Sequence, residues 1–365
     1  MGGELKGKAG RELKILLPLL VVLVVAVIFI AQRAVRFFQG EKGIGYPLEL
    51  HAVLEHESNV FGISFSPDGR YIASATGDDK ISIWDWKNGR LVQQMDDPEY
   101  GSTYVYFSPD GKMLASRGNY RYVRFWDVES GDLIRTLEPY MAGDTNVKEC
   151  DCPAADIAFS SDWTQMAYAT GNNPISLWDL ATDEVIKTFP THPKGSNSIA
   201  LSPDGKLLAT VEWRSISIWD IETEEIVDTV RVSPTQSAFL VRFSPDGNTI
   251  ITEHQGEYQL WDVKGLKRLM RTNDNWCSGS NQSLSMSGEM LAVTDLRDIH
   301  FWDTRSGELL YSIENAHWKM PRMFRFGENT EIWSVAFSPD GKYLASGGWD
   351  ETVKIWRMPE ENRGG

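Results

Sequence analysis

The sequence predicts an all-β protein built from seven copies of one unit, and a recurring tryptophan is the first observation behind this prediction. Tryptophan stands near the end of a short apolar run at intervals of 42, 52, 41, 42, 41 and 54 residues, and aspartate follows it in the first six cases. These residues are Trp84, Trp126, Trp178, Trp219, Trp261, Trp302 and Trp356. A strict period of this length indicates one supersecondary unit stacked many times, and the two long intervals mark insertions.

A recurring tight turn is the second observation. A Ser-Pro-Asp-Gly turn follows an apolar strand that ends at Phe65, Phe107, Leu201, Phe243 and Phe337. Proline presets φ for a turn, aspartate bonds to the local backbone, and glycine takes the positive φ that closes a hairpin. Repeats three and six depart from this motif over residues 160–163 and 285–288. We therefore predict looser variants of the same hairpin at these two places.

Each repeat contains four strand signals in a fixed order. In repeat one, the strand that ends at Phe65 is followed by strands over residues 71–74, 81–84 and 90–94. The third strand alternates polar and apolar residues, as period-two patterning requires. Four antiparallel strands at this spacing make one blade of a β-propeller, so the sequence predicts seven blades.

These motifs resemble those of the WD40-repeat family over about 310 of the 365 residues, although repeat seven has Trp356 followed by arginine. The resemblance implies a seven-bladed propeller of four-stranded antiparallel blades over residues 48–358, with a C-terminal tail over residues 359–365. Too few residues follow Trp356 for a fourth strand, while residues 48–55 form a strand-like stretch that no other blade needs. We predict that residues 48–55 complete blade seven and remove the exposed strand edges.

Blades of this family often contain a buried hydrogen-bonded set of His, Ser or Thr, Asp and Trp. Repeat one matches all four positions with His56, Ser74, Asp78 and Trp84. In repeat seven the position that matches His56 is Glu328. We interpret these residues as structural rather than catalytic.

The amino-terminal segment has a different character from the repeats. A basic stretch over residues 1–14 precedes an uncharged apolar run over residues 15–31, and a glycine-containing linker follows over residues 32–47. As a helix the apolar run would reach roughly 25 Å, near the lower limit for crossing a bilayer. We predict a retained transmembrane anchor; a cleaved signal peptide and a buried soluble helix are the alternatives.

Four Lys and Arg residues before the run, against three after it, favour a cytoplasmic N-terminus with the propeller on the extracytoplasmic side. The alternative is a propeller that faces the cytoplasm.

Composition and motifs exclude several classes of function. A net charge of −15 argues against a nucleic-acid partner, because neutralising phosphates needs a surplus of Lys and Arg. The three cysteines show neither a disulfide framework nor metal-ligand spacing, and the six histidines are scattered. The sequence contains no phosphate-binding loop, nucleophile elbow or zinc motif. It therefore predicts no cofactor, no metal and no enzymatic activity, and we interpret His254, beside Glu253, as a surface feature.

The two insertions are the candidate partner-binding sites. Both connect the last strand of one blade to the first strand of the next, so both lie on one face of the propeller, which we call the loop face. The second insertion concentrates aromatic, Met and Arg residues, which are enriched where partners bind. The candidate residues are Trp318, Met320, Arg322, Phe324, Arg325 and Phe326 in the second insertion and Tyr140 and Met141 in the first. Alternatively, the apolar residues of the second insertion fold back over the propeller.

The sequence thus predicts a membrane-tethered, non-enzymatic scaffold that binds a protein or peptide partner through the loop face. An enzyme or small-molecule binder with a site in the central channel is the alternative, and it requires polar groups that converge on the axis. A third hypothesis is that the protein has a purely structural role as a subunit of an assembly.

Overall fold

The structure is a computed structural model. It describes residues 48–97, 102–118, 122–138, 156–169, 174–190, 196–212, 214–232, 238–254, 257–271, 284–287, 290–317 and 331–359. All of them fall within one of the two units into which the chain divides, Tyr46–Gly365. The predicted membrane segment, residues 15–31, and its flanking stretches, residues 1–14 and 32–47, lie outside the described residues. In the described part of the chain, no helix has the length and apolar character needed to span a membrane.

The described residues form seven four-stranded antiparallel sheets, which confirms the prediction of an all-β, seven-bladed propeller. In blades one to six, four consecutive strands follow one another from the inside of the blade to its outer edge. The strands are: blade one, β2 (Val60–Phe65), β3 (Tyr71–Thr76), β4 (Lys80–Asp85) and β5 (Arg90–Asp96); blade two, β6 (Ser102–Phe107), β7 (Met113–Gly118), β8 (Val123–Asp127) and β9 (Leu133–Leu137); blade three, β10 (Asp156–Phe159), β11 (Gln165–Ala169), β12 (Ile175–Asp179) and β13 (Glu184–Phe189); blade four, β14 (Ser196–Leu201), β15 (Leu207–Glu212), β16 (Ser215–Asp220) and β17 (Ile226–Arg231); blade five, β18 (Leu240–Phe243), β19 (Thr249–His254), β20 (Glu257–Asp262) and β21 (Lys267–Arg271); blade six, β22 (Leu284–Ser287), β23 (Met290–Asp295), β24 (Asp298–Asp303) and β25 (Leu309–Ile313); and blade seven, β26 (Ile332–Phe337), β27 (Tyr343–Gly348), β28 (Thr352–Arg357) and β1 (Glu49–Glu55).

The apolar core of the described region lies between neighbouring blades. The repeat tryptophan of one blade packs against the preceding blade; Trp126, for example, belongs to a buried cluster with Ile83 and Met95 of blade one. The inner three strands of each blade carry most of the buried residues, while the outermost strand exposes aliphatic side chains such as Leu91 and Val92. Burial of apolar surface between blades therefore stabilises the ring, and no blade is self-sufficient.

The recurring tryptophan coincides with a recurring irregularity in the sheet. In blades one to six, the pairing of the third and fourth strands shifts register immediately before the tryptophan. In blade seven, the same shift occurs where Leu50 pairs with Trp356 and Ala52 with Ile355, so His51 is the extra residue on the outer strand. Bulges of this kind re-aim a side chain and increase local twist. All seven blades therefore share this bulge, although the outer strand of blade seven comes from a distant part of the chain.

The turn of repeat three is not looser than the others, contrary to the sequence-based prediction. The Trp163 amide donates to the Ser160 carbonyl at 3.0 Å, as the Gly69 amide does to the Ser66 carbonyl at 2.8 Å. Trp163 adopts the positive φ of the glycine that it replaces, 58°. Its ring stacks on Phe159 at 4.7 Å between centroids. This stacking offsets the cost of a left-handed conformation for a bulky residue.

The ring is joined where β1 meets β28. The two strands pair antiparallel from Glu49 opposite Arg357 to Glu55 opposite Thr352. Trp86 of blade one is fully buried at this junction; its ring lies 5.7 Å from that of His51 and 4.8 Å from that of Tyr343. The Trp86 indole N–H also donates to the carbonyl of Gly69 at 3.0 Å. Trp86 therefore connects β1 and β27 of blade seven to blade one.

Candidate functional site

An aromatic cluster lies on the loop face where blade one meets blade seven. Phe61 and Trp333 are each the second residue of the innermost strand of their blade, and Trp349 lies in the turn between β27 and β28. The ring centroids are 4.9 Å apart for Phe61 and Trp333, and 6.2 Å apart for Trp333 and Trp349. Antiparallel order places the start of the first strand and the turn between the second and third strands on one face. The cluster therefore occupies the face to which the insertions belong.

The members of this aromatic cluster are half-buried, and their polar atoms are incompletely satisfied. The indole Nε1 atoms of Trp333 and Trp349 are shielded from solvent and have no hydrogen-bond acceptor in the described part of the chain. A buried donor without an acceptor costs about 1–3 kcal/mol. A bound segment that placed a carbonyl or carboxylate oxygen within hydrogen-bonding distance of these donors would recover that free energy. Aromatic residues also dominate the energetic centres of protein interfaces.

Acidic side chains surround the aromatic cluster. Apart from the buried Asp350, which is paired with Lys354, the turns over residues 56–59, 77–80 and 349–351 carry four carboxylates and one amino group, a local charge of −3. The carboxylates are Glu57, Asp78, Asp79 and Glu351, and the amino group is that of Lys80. Lys80 is already paired with Glu57 at 2.9 Å and with Asp78 at 3.1 Å. The electrostatic complement of this surface is a basic segment.

Blade seven contains a complete hydrogen-bonded set directly beneath Trp349. The Trp356 indole donates to the Ser346 hydroxyl at 2.9 Å, and Ser346 Oγ lies 2.7 Å from His317 Nε2. His317 Nδ1 lies 2.7 Å from Asp350 Oδ1. The sequence had matched Glu328 to the histidine position, and this match was wrong. His317, which directly precedes the candidate partner-binding residue Trp318, is fully buried in blade seven.

The charges of this set are fixed by its hydrogen bonds. Burial lowers the pKa of His317 despite the carboxylate beside it, so the ring is neutral at pH 7. It then donates from Nδ1 and accepts at Nε2. Burial alone would raise the pKa of Asp350, but hydrogen bonds from His317, Lys354 and Thr352 hold it well below its usual range. Lys354 donates to Asp350 Oδ2 at 2.9 Å, so the buried charge is paired.

The structure brings together three of the four residues predicted in blade one. The Trp84 indole and the Ser74 hydroxyl lie 3.2 Å and 2.7 Å from His56 Nε2, and His56 Nδ1 lies 3.1 Å from the carbonyl oxygen of Leu54. Asp78 instead accepts from Thr76 at 2.5 Å and pairs with Lys80. The set is therefore anchored to β1 through Leu54, on the strand that joins the two ends of the propeller.

Blade five uses a histidine from within a strand. The Trp261 indole donates to Thr252 Oγ1 at 2.9 Å, and that oxygen lies 2.7 Å from His254 Nε2. The interpretation of His254 as a surface residue was wrong, because it is fully buried. Burial is the main reason that the pKa of His254 falls to about 4. The nearby Glu257 opposes this shift, whereas Arg271 and Arg268 reinforce it. His254 is therefore a neutral core residue.

The predicted partner-binding residues of the insertions lie outside the described residues. They are Trp318, Met320, Arg322, Phe324, Arg325 and Phe326, with Tyr140 and Met141. The three cysteines lie outside them as well. Within the described ranges, no group of His, Cys, Asp and Glu could hold a metal ion.

Phe61, Trp333 and Trp349 are not among the residues predicted from sequence, although a signal for the first two was present. Aligning the innermost strands of blades one and seven places Phe61 opposite Trp333. Both are large aromatic residues at the loop-face end of a strand, where the turn motif plays no part. Their proximity follows only from ring closure, because blades one and seven are the most distant repeats in sequence.

Comparison with known families identifies the repeats. The model of the WD40 family, described as "WD domain, G-beta repeat", matches residues 48–85, 183–220 and 321–357. The chain therefore contains WD40 repeats, arranged in a seven-bladed propeller. Propellers of this class typically bind protein partners.

Several characterised proteins resemble the chain along much of its length. It is 25% identical over 319 residues to Nuclear distribution protein PAC1 of Arthroderma otae, covering 86% of this chain and 62% of that protein. It is 25% identical to Autophagy-related protein 16 of Arabidopsis thaliana, covering 57% of this chain and 40% of that protein. With Guanine nucleotide-binding protein subunit beta-5b of Danio rerio it shares 26% identity, over 55% of this chain and 50% of that protein. The chain spans less than two thirds of the length of each of these relatives.

Proposed function

We propose that the protein is a non-enzymatic scaffold whose loop face binds a basic peptide segment with an aromatic or aliphatic anchor. The observation that carries this proposal is the cluster of Phe61, Trp333 and Trp349. Three half-buried aromatic side chains meet across two blades, and the indole donors of two of them have no acceptor among the described residues. The acidic turns around the cluster favour basic residues beside the anchor. WD40 propellers related to this chain support a role in protein interaction.

A peptide selection tests this proposal without knowledge of the natural partner. Phage-displayed peptides selected on the full chain are expected to enrich an aromatic or aliphatic residue next to Lys or Arg. A selected peptide is expected to bind the Trp333→Ala variant at least about tenfold more weakly, since an aromatic anchor contributes this much at an interface. Fluorescence polarisation measures both dissociation constants.

The control is Leu269→Ala, which truncates an exposed apolar residue on the outer edge of blade five. It is expected to leave the affinity for the selected peptide unchanged. Equal binding of the peptide by wild type and Trp333→Ala would contradict the proposed surface. Replacing Trp318, Phe324 and Phe326 together tests whether the second insertion contributes to the same surface, as its composition predicts.

We also propose that residues 15–31 anchor the propeller to a membrane, with the N-terminus in the cytoplasm. The support is the length of the apolar run and the small excess of Lys and Arg before it. A tag placed after Gly365 is expected to resist protease added to sealed inside-out vesicles and to be digested in cells with a permeabilised outer surface. Digestion of the tag in the vesicles but not in the cells would show that the propeller faces the cytoplasm. Recovery of the tagged protein in the soluble fraction would contradict a membrane anchor.

A further inference from the structure

A cavity lies in the central channel of the propeller, and one of the described residues in its wall is charged. The cavity has a volume of about 630 Å³. The innermost strands of blades one to six line it, mostly with small side chains at the channel-facing position, namely Ser64, Ala158, Ala200 and Ser285. Tyr106 and Arg242 occupy the same position in blades two and five. Arg242 is the only charged side chain among the described residues that line the cavity.

Arg242 is held by one of its two terminal nitrogens. Its Nη1 donates to Asp156 Oδ2 at 3.0 Å, to Ser198 Oγ at 3.2 Å and to its neighbour's carbonyl, that of Val241, at 2.7 Å. Its hydrogen bonds to described residues all use Nη1. No described residue accepts a hydrogen bond from Nε or Nη2, and 35% of the side chain is exposed in the channel. A guanidinium fixed at one nitrogen presents its other donors in a defined direction.

The charge around Arg242 is positive in spite of Asp156. Arg117 Nη1 lies 3.8 Å from Asp156 Oδ1, so the buried carboxylate of Asp156 lies between two guanidinium groups. Burial opposes the charged form of Arg242, but Asp156 outweighs this effect and raises the pKa of the guanidinium. Burial is also the main reason that the pKa of the Tyr106 hydroxyl is raised, so this group stays neutral. The three charges sum to +1 within a chain of net charge −15.

The aspartates of the Ser-Pro-Asp-Gly turns do not cancel this charge from within the cavity. Asp110, Asp204 and Asp246 are exposed and are not part of the cavity wall. Each accepts a hydrogen bond from the serine of its own turn, at 2.5–2.7 Å. The cavity thus combines a mostly small or apolar wall with one polar anchor, which is the usual composition of a small-molecule site.

We propose that the central channel binds a small oxyanion, a carboxylate or phosphate group, on the free donors of Arg242. Arg117 and Asp156 act as positioning residues, because Asp156 orients the guanidinium while Arg117 offsets its charge. The Tyr106 hydroxyl is a neutral donor in the same wall. Bidentate pairing with a carboxylate or phosphate matches the planar guanidinium. This site is separate from the proposed peptide surface on the loop face.

Titration calorimetry on the full chain at low ionic strength tests the site, with inorganic phosphate and acetate as separate probes. Saturable binding of at least one probe is expected. Arg242→Gln is expected to weaken it at least about tenfold, through loss of charge-assisted hydrogen bonds. Asp156→Asn is expected to strengthen it several-fold, because it removes the competing carboxylate. Preference for phosphate over acetate identifies a phosphate compound as the natural ligand, and the reverse preference identifies a carboxylic acid.

The matched control is Arg268→Gln, which removes an exposed arginine from β21 of the same blade and should leave both affinities unchanged. Arg242→Lys keeps the positive charge but lacks the planar set of donors of a guanidinium, and is expected to retain part of the affinity. If Arg242→Gln does not fold, the proposal is tested by the other two variants. The affinity for the probe is expected to fall in Arg242→Lys and to rise in Asp156→Asn. Absence of saturable binding in the wild type, or affinity that is the same in all Arg242 and Asp156 variants, would overturn the proposal.

Discussion

Replacement of Asp350 with alanine is expected to lower the free energy of unfolding by about 3–5 kcal/mol, the usual cost of breaking a buried charge pair by removing one partner. The substitution leaves the Nδ1 donor of His317 without its acceptor in the core of blade seven. It also leaves the mostly buried amino group of Lys354 without its carboxylate, although a hydrogen bond to the carbonyl of Ala316 remains. Urea denaturation of the full chain, followed by tryptophan fluorescence, measures the loss.

Asp78 provides the matched control, because it occupies the equivalent turn of blade one. Its side chain is 29% exposed, and its partner Lys80 is paired with Glu57 as well. Asp78→Ala is therefore expected to cost less than about 1 kcal/mol, as for other partly exposed ion pairs. Similar losses for the two variants would show that the buried set of blade seven has no special role in stability.

The Asp350 set connects the stability of blade seven to the proposed peptide surface. Asp350 directly follows Trp349 in the turn between β27 and β28, and its carboxylate accepts hydrogen bonds from His317, Thr352 and Lys354. These bonds fix the turn and thereby the position of the Trp349 ring. Rigid placement of an aromatic side chain lowers the entropic cost of binding. The interblade core thus supports the loop face through one short turn.

The fold could be predicted because its signals are local and repeated. The Trp-Asp pair and the turn motif recur in most blades, and each copy reports on the same strand order. Residue-level exceptions were harder to judge. Trp163 replaces a glycine at a positive φ, which suggested a loose turn; its stacking on Phe159 is a contact between side chains that no turn motif contains.

The buried histidines could not be assigned from sequence spacing. In blade one, His56 lies four residues before β2 begins, at Val60, whereas His317 lies 15 residues before β26 begins, at Ile332. The second insertion separates His317 from the strand that it supports, so counting back from the strand gave Glu328. In blade five, His254 reaches Thr252 from the same strand. Hydrogen bonding selects a position in space, and several chain positions can reach it.

Acidification is expected to destabilise the propeller through His254. The pKa of this residue is about 4 in the folded chain, below the 6.5 of an unperturbed histidine, mainly because the ring is buried. Between these two values the unfolded chain binds more protons than the folded chain, so the free energy of unfolding rises with pH. The contribution is complete above pH 6.5 and is lost as the pH falls towards 4. At pH 4.5 the loss from this one residue is roughly 2–3 kcal/mol.

A difference between variants isolates the contribution of His254 from that of other titrating groups, including His56 and His317, whose pKa values burial also lowers. Urea denaturation of the full chain at pH 7.5 and 4.5 gives the change in stability for each protein. His254→Gln is expected to lose roughly 2–3 kcal/mol less than the wild type over this interval. Thr252→Ser keeps both the hydroxyl and the histidine, and should retain the wild-type pH dependence. A His254→Gln variant with the wild-type pH dependence would show that protonation of His254 does not oppose folding. The predicted direction follows from burial, because a cationic ring at this position would have to leave water for the buried space beside Thr252 and Trp261, between blades four and five.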